Sequence, residues 1–267
     1  MSRYRLQHYE LEDVGNNRYL LKFPVGNIYA KVVDQAFPNL NKTQWKDEGH
    51  TWISTILQAP SAQEIEGVRM FFDLLKKILL LCLNNNLIPY FSGDELDQCF
   101  ALDYNFKDKD HNTYTEVGAL EYAAKYRSDN ESPQKLSERL VEICGLHPNL
   151  RTVNHLAAVP GNPGKAFNLP DMLVTKMCRL QRGKVRLNLS KEESPPLKNL
   201  SLKDKIASLK GVYALNEDIN GHSILVVDDL YQSGTTMWTL ARFLKENGAK
   251  KVYGLTCVKS WRDSDNQ

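Results

Sequence analysis

From His222 the chain reads HSILVVDD, then a polar LYQSGTT, then TTMWTLARFLKENG, then KVYGLTCV. The uninterrupted apolar run Ile224 to Val227 does not alternate inward and outward. A strand built from it must therefore be covered on both faces. The helical stripe of Met237, Leu240, Ala241 and Leu244 supplies one cover, and Gly248 is its expected C-terminal stop. Two strands joined through a helix lie parallel in one sheet. The expected class is therefore α/β with a parallel core sheet, whose ligands bind outside the carboxyl ends of the strands.

A second short buried strand ends at Val159 and runs into PGNPGK, so this loop and DDLYQSGTT are expected to open on the same sheet edge. Helices are expected over GALEYAAKYRSD, from Ser132 to about Cys144, and over LPDMLVTKMCRL. The first hundred residues read as mixed structure. RYLLKFPVGNIYAKVV is expected to form a hairpin around Pro-Val-Gly-Asn. Ser61 to Leu83 is expected to be a helix, opened by a Ser61–Glu64 capping box. The polar run Asn105 to Gly118 suggests a boundary. It divides an N-terminal α+β region of unknown role, 1–110, from a sheet domain, 111–267.

A formal net charge of +2 gives no reason to expect nucleic acid or membrane as a partner. The N-terminus has no apolar core of a secretory signal. The longest greasy stretch, Ile78 to Leu83, is far shorter than the roughly 20 residues that span a bilayer. Five scattered cysteines without a CxxC pair argue against a zinc ribbon or a disulfide framework and favour a reducing, cytoplasmic setting. None of the six histidines has metal-ligand spacing, and His155 and His222 fall away from the loops. Residues 181–210 carry eight Lys or Arg against three acids but no interleaved aromatics, which suits a solvated lid better than a nucleic-acid patch.

Gln232, Ser233, Gly234, Thr235 and Thr236 lie between a strand and a helix N-terminus, where backbone N–H groups and the helix dipole favour an anion. Gly234 admits close approach and the hydroxyls add donors. No lysine follows the glycine, so this is not a Walker A loop. Taken alone the stretch would serve as a helix cap. Asp228 and Asp229 change that, because a cap uses one acid at most and two would repel the anion. They fit vicinal hydroxyls, with Mg²⁺ held through water to relieve the repulsion. The combination suggests a clamp for ribose 5-phosphate.

ILVVDDLYQSGTT resembles the phosphoribosyl pyrophosphate (PRPP) signature of the type I phosphoribosyltransferases. EYAAKYR and AAVPGNPGKAFN resemble segments of the ComF-like branch, here without its zinc ribbon; Lys205 and Ser208 stand where that branch has Arg and Asn. The resemblance implies a type I fold and transfer of ribose 5-phosphate from PRPP to a nitrogenous acceptor, with Mg²⁺. It implies Asp228, Asp229 and Lys165 as the catalytic group and Gln232 to Thr236 on the phosphate. Gly161 and Gly164 would receive the pyrophosphate. A lid around Lys184 and Arg186 and a hood including Trp261 and Arg262 would complete the site. The alternative is an inactive PRPP- or nucleotide-sensing or interaction subunit on the same fold. A homodimer, or a partner held through the N-terminal region, accompanies either reading.

Overall fold

A computed structural model describes residues 5–24, 27–83, 85–127, 129–164, 167–193 and 200–261. The chain forms two compact units: Met1–Leu80 with Ile143–Thr152, and Leu81–Glu142 with Val153–Gln267.

In the first unit, strands β1 (Glu10–Gly15), β2 (Arg18–Phe23), β3 (Lys46–Gly49) and β4 (Trp52–Gln58) make an antiparallel sheet in the order β1-β2-β4-β3. Helices α1 (Asn27–Ala36) and α2 (Ala62–Lys77) follow β2 and β4, and a two-residue strand β5 (Leu79–Leu80) comes last. The core gathers Phe23, Tyr29, Phe71 and Phe72, with the Phe23 and Phe72 rings 5.2 Å apart.

The expected hairpin over residues 18–33 is not there: β2 leads into a helix. Tyr29, Val32, Val33 and Ala36 recur at helical spacing and are all buried, so packing overrides the strand preference of the valines. The hairpin lies one strand earlier, where β1 meets β2 through Gly15, Asn16 and Asn17, all three at positive φ. The capping box at Ser61 and Glu64 is present. However, α2 stops at Lys77 and Ile78 is already extended, six residues short of Leu83.

The second unit carries β6 (Gln98–Tyr104), α3 (Glu116–Tyr126) and the start of α4 (Glu131–Leu146); the end of α4 and α5 (Pro148–Thr152) lie in the first unit. Then come β7 (His155–Ala158), α6 (Leu169–Leu180), β8 (Val185–Arg186), β9 (Leu189–Lys191), α7 (Leu202–Leu209), β10 (Tyr213–Leu215), β11 (Ser223–Tyr231), α8 (Thr235–Glu246) and β12 (Lys251–Lys259). Within this unit the sheet runs β6-β12-β11-β7-β8, with every pair parallel. The class is α/β, as the apolar runs require. β9 and β10 form a separate antiparallel ribbon.

Because β6 pairs with β12, the sheet takes in chain that precedes residue 110. The polar stretch 105–118 is a tight turn inside this unit. Asn105 N–H donates to the Lys259 carbonyl at 3.0 Å, and Lys107 N–H to the Thr113 carbonyl at 2.8 Å. Its polarity serves its own hydrogen bonds. The Thr115 hydroxyl caps α3 by accepting from Gly118 N–H at 2.9 Å and donates to the Tyr104 carbonyl. A Cβ on Gly118 would stand 1.9 Å from the Asn105 carbonyl oxygen, a backbone atom that cannot swing aside. Gly118→Ala is therefore expected to destabilise the protein by about 3 kcal/mol, read by urea denaturation, although Ala is the better helix former.

No described helix is long and apolar enough to cross a membrane.

Candidate functional site

Adjacent strands β7 and β11 run parallel, with Val227 opposite Ala158, so the loops that follow them leave at the same carboxyl edge. The loop after β11 is a tight turn capped at Gly234, which sits at φ 90° as the N-cap of α8. Tyr231 folds against it. The Tyr231 hydroxyl accepts from Trp238 Nε1 at 3.2 Å, and a Cβ on Gly234 would approach that hydroxyl to 2.2 Å. The Ser233 and Thr235 hydroxyls are buried and hydrogen-bond each other at 2.9 Å. The buried Lys259 ammonium donates to the Gln232 and Ser260 carbonyls at 3.1 and 2.9 Å. The turn is thus held by hydrogen bonds of the protein itself. It encloses a cavity of about 130 Å³ whose wall includes Asp228, Gln232, Gly234, Thr236 and Lys205.

The two acids part company, as successive residues of a strand must. Asp228 lines the cavity, whereas Asp229 is ion-paired with Lys125 at 2.9 Å. Lys125 also holds Glu121, one turn back on α3, at 2.6 Å. All three side chains are at most 17% exposed. Burial alone would push Lys125 down, but the Asp229 and Glu121 carboxylates outweigh it and hold its pKa above the ordinary value. Burial raises Glu121. Asp228 is pushed up to about 8, first by burial and then by the neighbouring Asp229 charge.

That shift has a sign. Between 3.8 and about 8 the folded protein keeps a proton on Asp228 that the unfolded chain has lost, so stability falls as pH rises through this window. Asp228→Asn is expected to flatten that fall. Urea denaturation of both proteins at pH 5 and pH 8 reads it, and equal slopes would refute it.

The loop after β7 is pinned by Asn168, whose Nδ2 donates to the Val159 carbonyl at 3.2 Å beside Gly161. Gly164 takes φ 80°. Gly161 lines a second cavity with Asn168, Arg186, Ser190 and Lys191, and Lys191 Nζ donates to Asn162 Oδ1 at 2.8 Å. Lys165 and Arg262 lie outside the described residues.

Lys184 and Arg186, expected in a lid, lie at the edge of the sheet. Val185 and Arg186 make β8, the edge strand beside β7. The Lys184 ammonium donates to the Val153 carbonyl, and the Arg186 guanidinium pairs with Asp171 and donates to Thr175 Oγ1 on α6. An edge strand needs backbone partners and anchoring side chains, and these two cations serve as anchors. Trp261 stacks on Tyr104 at 4.2 Å just past β12 and donates through Nε1 to the Phe106 carbonyl. The His155 and His222 rings meet 4.3 Å apart at the opposite, amino-terminal edge of the sheet.

Sequence reasoning did not assign roles to Lys125, Glu121, Lys205 or Lys191. The Glu121–Lys125 spacing of four was a readable signal, since it puts both on one helix face. Lys205 and Lys191 have no such local mark.

Residues 181–261 match the family model described as phosphoribosyl transferase domain, a span under a third of the chain. No curated protein matches the sequence. Among solved structures, the chain resembles a hypoxanthine phosphoribosyl transferase of Trypanosoma cruzi at 12% identity and a TM-score of 0.32, covering 48% of this chain and 62% of that one. It also resembles a hypoxanthine phosphoribosyltransferase of Staphylococcus aureus at 12% identity and a TM-score of 0.33, covering 51% and 69%. The chain thus spans less than two-thirds of the first of these proteins.

Proposed function

We propose that this carboxyl edge binds PRPP and transfers its ribose 5-phosphate to a nitrogenous base or related acceptor, releasing pyrophosphate, as in a ComF-like phosphoribosyltransferase lacking the zinc ribbon. One observation carries the reading. A cavity at a helix N-terminus, with Asp228 on its wall, lies at the same sheet edge as a Gly-Asn-Pro-Gly loop that follows the neighbouring strand.

The 5-phosphate sits on the Gln232–Thr236 turn, at the positive end of the α8 dipole. Asp228, not Asp229, faces the ribose hydroxyls, because Asp229 is committed to Lys125. The Gly161–Gly164 loop, followed by Lys165, receives the pyrophosphate. At C1 the bond to pyrophosphate breaks, positive charge grows on the ribosyl centre, and the acceptor nitrogen forms the new bond and gives its proton to water. The protein contributes position and charge rather than a covalent nucleophile.

The donor set accommodates Mg²⁺ in one way. Among the described residues no group of three His, Cys, Asp or Glu is arranged to hold a metal, and one signature carboxylate faces the cavity. That suits an ion that keeps mostly phosphate and water ligands, with Asp228 reached through water. When bound, magnesium offsets the pyrophosphate charge. The setting we propose is cytoplasmic, in keeping with five scattered cysteines and no CxxC pair.

Calorimetric titration with PRPP, with and without Mg²⁺, tests the reading. We expect magnesium-dependent binding by the wild type, and binding about 10- to 100-fold weaker in Asp228→Asn. Absence of wild-type binding would sink the proposal. The sensor reading is favoured by the Lys184 ammonium, which is spent on the Val153 carbonyl and so takes one cation away from the pyrophosphate side, while Arg186, paired with Asp171, stays on the wall of the Gly161 cavity. Acceptor-dependent pyrophosphate release separates the two: transfer produces it and sensing does not.

A further inference from the structure

One face of α6 buries Leu169, Leu173, Val174 and Met177, and the helix packs on β7 and β11. The other face carries Asp171, Met172, Thr175, Lys176 and Arg179, which recur at helical spacing. With Phe167 and Asn130 this outer face lines a groove of about 510 Å³. The cavity under the Gln232–Thr236 turn holds about 130 Å³, whereas small-molecule sites run from roughly 300 to 1,000 Å³. The groove has Asn168 and Asp171 in common with the Gly161 cavity, and none of the turn residues.

Phe167 is 43% exposed in this groove. One exposed ring alone would mean little. It matters because the charges beside it do not cancel. Asp171 is already paired with Arg186, which reaches it from β8, outside the groove. Lys176 Nζ donates to Gln134 Oε1 at 3.3 Å, a neutral acceptor. Arg179 is exposed, and no described carboxylate pairs with it. Two cations three residues apart on one helix face are therefore left unanswered by any described acid. They follow the first residue of α6 by seven and ten positions, about 10–15 Å along its axis. Long helical side chains lean back toward the N-terminus, the end at which Phe167 lies. Met172 stands between ring and cations as an adaptable apolar contact.

We infer that this groove binds a nucleoside triphosphate, with the base on Phe167 and the phosphate chain reaching Lys176 and Arg179. The distance from ring to cations suits a base with an extended phosphate chain better than a lone phosphate. The site stands apart from the PRPP reading, because PRPP has no ring for Phe167 to hold.

Calorimetry on the full chain tests it with ATP and GTP, and with adenosine and inorganic tripolyphosphate as the two halves of the ligand. Excess ribose 5-phosphate is present throughout, to occupy the carboxyl edge if the transferase reading holds. The wild type is expected to bind at least one triphosphate, and each half at least about 10-fold more weakly. Phe167→Ala should weaken the triphosphate about 2- to 10-fold and Arg179→Ala about 10-fold. Neither should change the Tm, since both side chains are exposed. Arg179→Ala should also leave PRPP binding as it is. Should Phe167→Ala lose stability, Phe167→Leu keeps apolar bulk without a ring and is read the same way. Tripolyphosphate binding as tightly as ATP would reduce the groove to a plain anion patch and overturn the inference. So would a wild type that binds neither triphosphate, or variants that keep full triphosphate affinity, since the nucleotide would then sit elsewhere. Triphosphate binding lost in both variants, in a protein that ignores PRPP, would sink the transferase reading and leave this one standing.

Discussion

Lys125→Met is expected to cost about 3–5 kcal/mol of stability near neutral pH, because it strands two carboxylates that are almost out of water. Asp229 and Glu121 are 17% and 10% exposed and both lean on this one ammonium, at 2.9 and 2.6 Å. Without it they face each other, and desolvation and mutual repulsion act in the same direction. The loss should shrink as the pH is lowered into the carboxylate range. A carboxyl whose folded pKa has been raised binds protons that the unfolded chain does not, which restores stability on acidification. Glu121→Gln added to Lys125→Met should also recover part of the loss. Urea denaturation at pH 7 and pH 4.5 reads all of this. A loss below about 1 kcal/mol would mean the trio behaves as a surface ion pair.

The second large effect is on ligand binding. Gly234→Ala is expected to weaken PRPP binding at least about 100-fold, and to destabilise the fold by about 1–3 kcal/mol. The backbone there is left-handed, at φ 90°, and the new methyl would meet the Tyr231 hydroxyl at 2.2 Å and its ring carbon at 2.5 Å. Tyr231 cannot simply turn away, since Trp238 donates to that hydroxyl. The turn must open, and the backbone N–H groups of Gln232 to Thr236 move with it. Calorimetry with PRPP and a thermal melt separate the two effects. Near-normal binding in this variant would show that the turn is not where the phosphate sits.

Much of the second unit could be read from the chain. The run Ile224 to Val227 and the stripe from Met237 to Leu244 left little choice but a buried strand and a covering helix, and all eight of those side chains are buried. The α1 segment was misread because its valines favour strands locally, whereas burial of Tyr29, Val32, Val33 and Ala36 on one face favours a helix. Local preference is weaker than a shared apolar face. Placement of the cations was harder still. Lys184 and Arg186 look free in a basic stretch, yet one is bound to a strand carbonyl and the other to Asp171. Lys205 looks just as unremarkable and lines the cavity under the Gln232–Thr236 turn. Nothing within a few residues of any of them distinguishes an anchor from a ligand-facing charge, because that difference is made by elements distant in sequence.

The tie between Lys259 and the Gln232 carbonyl has an optical consequence. Ser260 N–H donates to the Tyr231 carbonyl at 2.9 Å, and the next residue is the indole stacked on Tyr104. A second indole, that of Trp238, is hydrogen-bonded to Tyr231 itself. Any settling of the turn around an anion is thus expected to alter the surroundings of these two of the chain's four indoles. The chain carries its own emission gauge for the state of that loop, and it needs no attached dye.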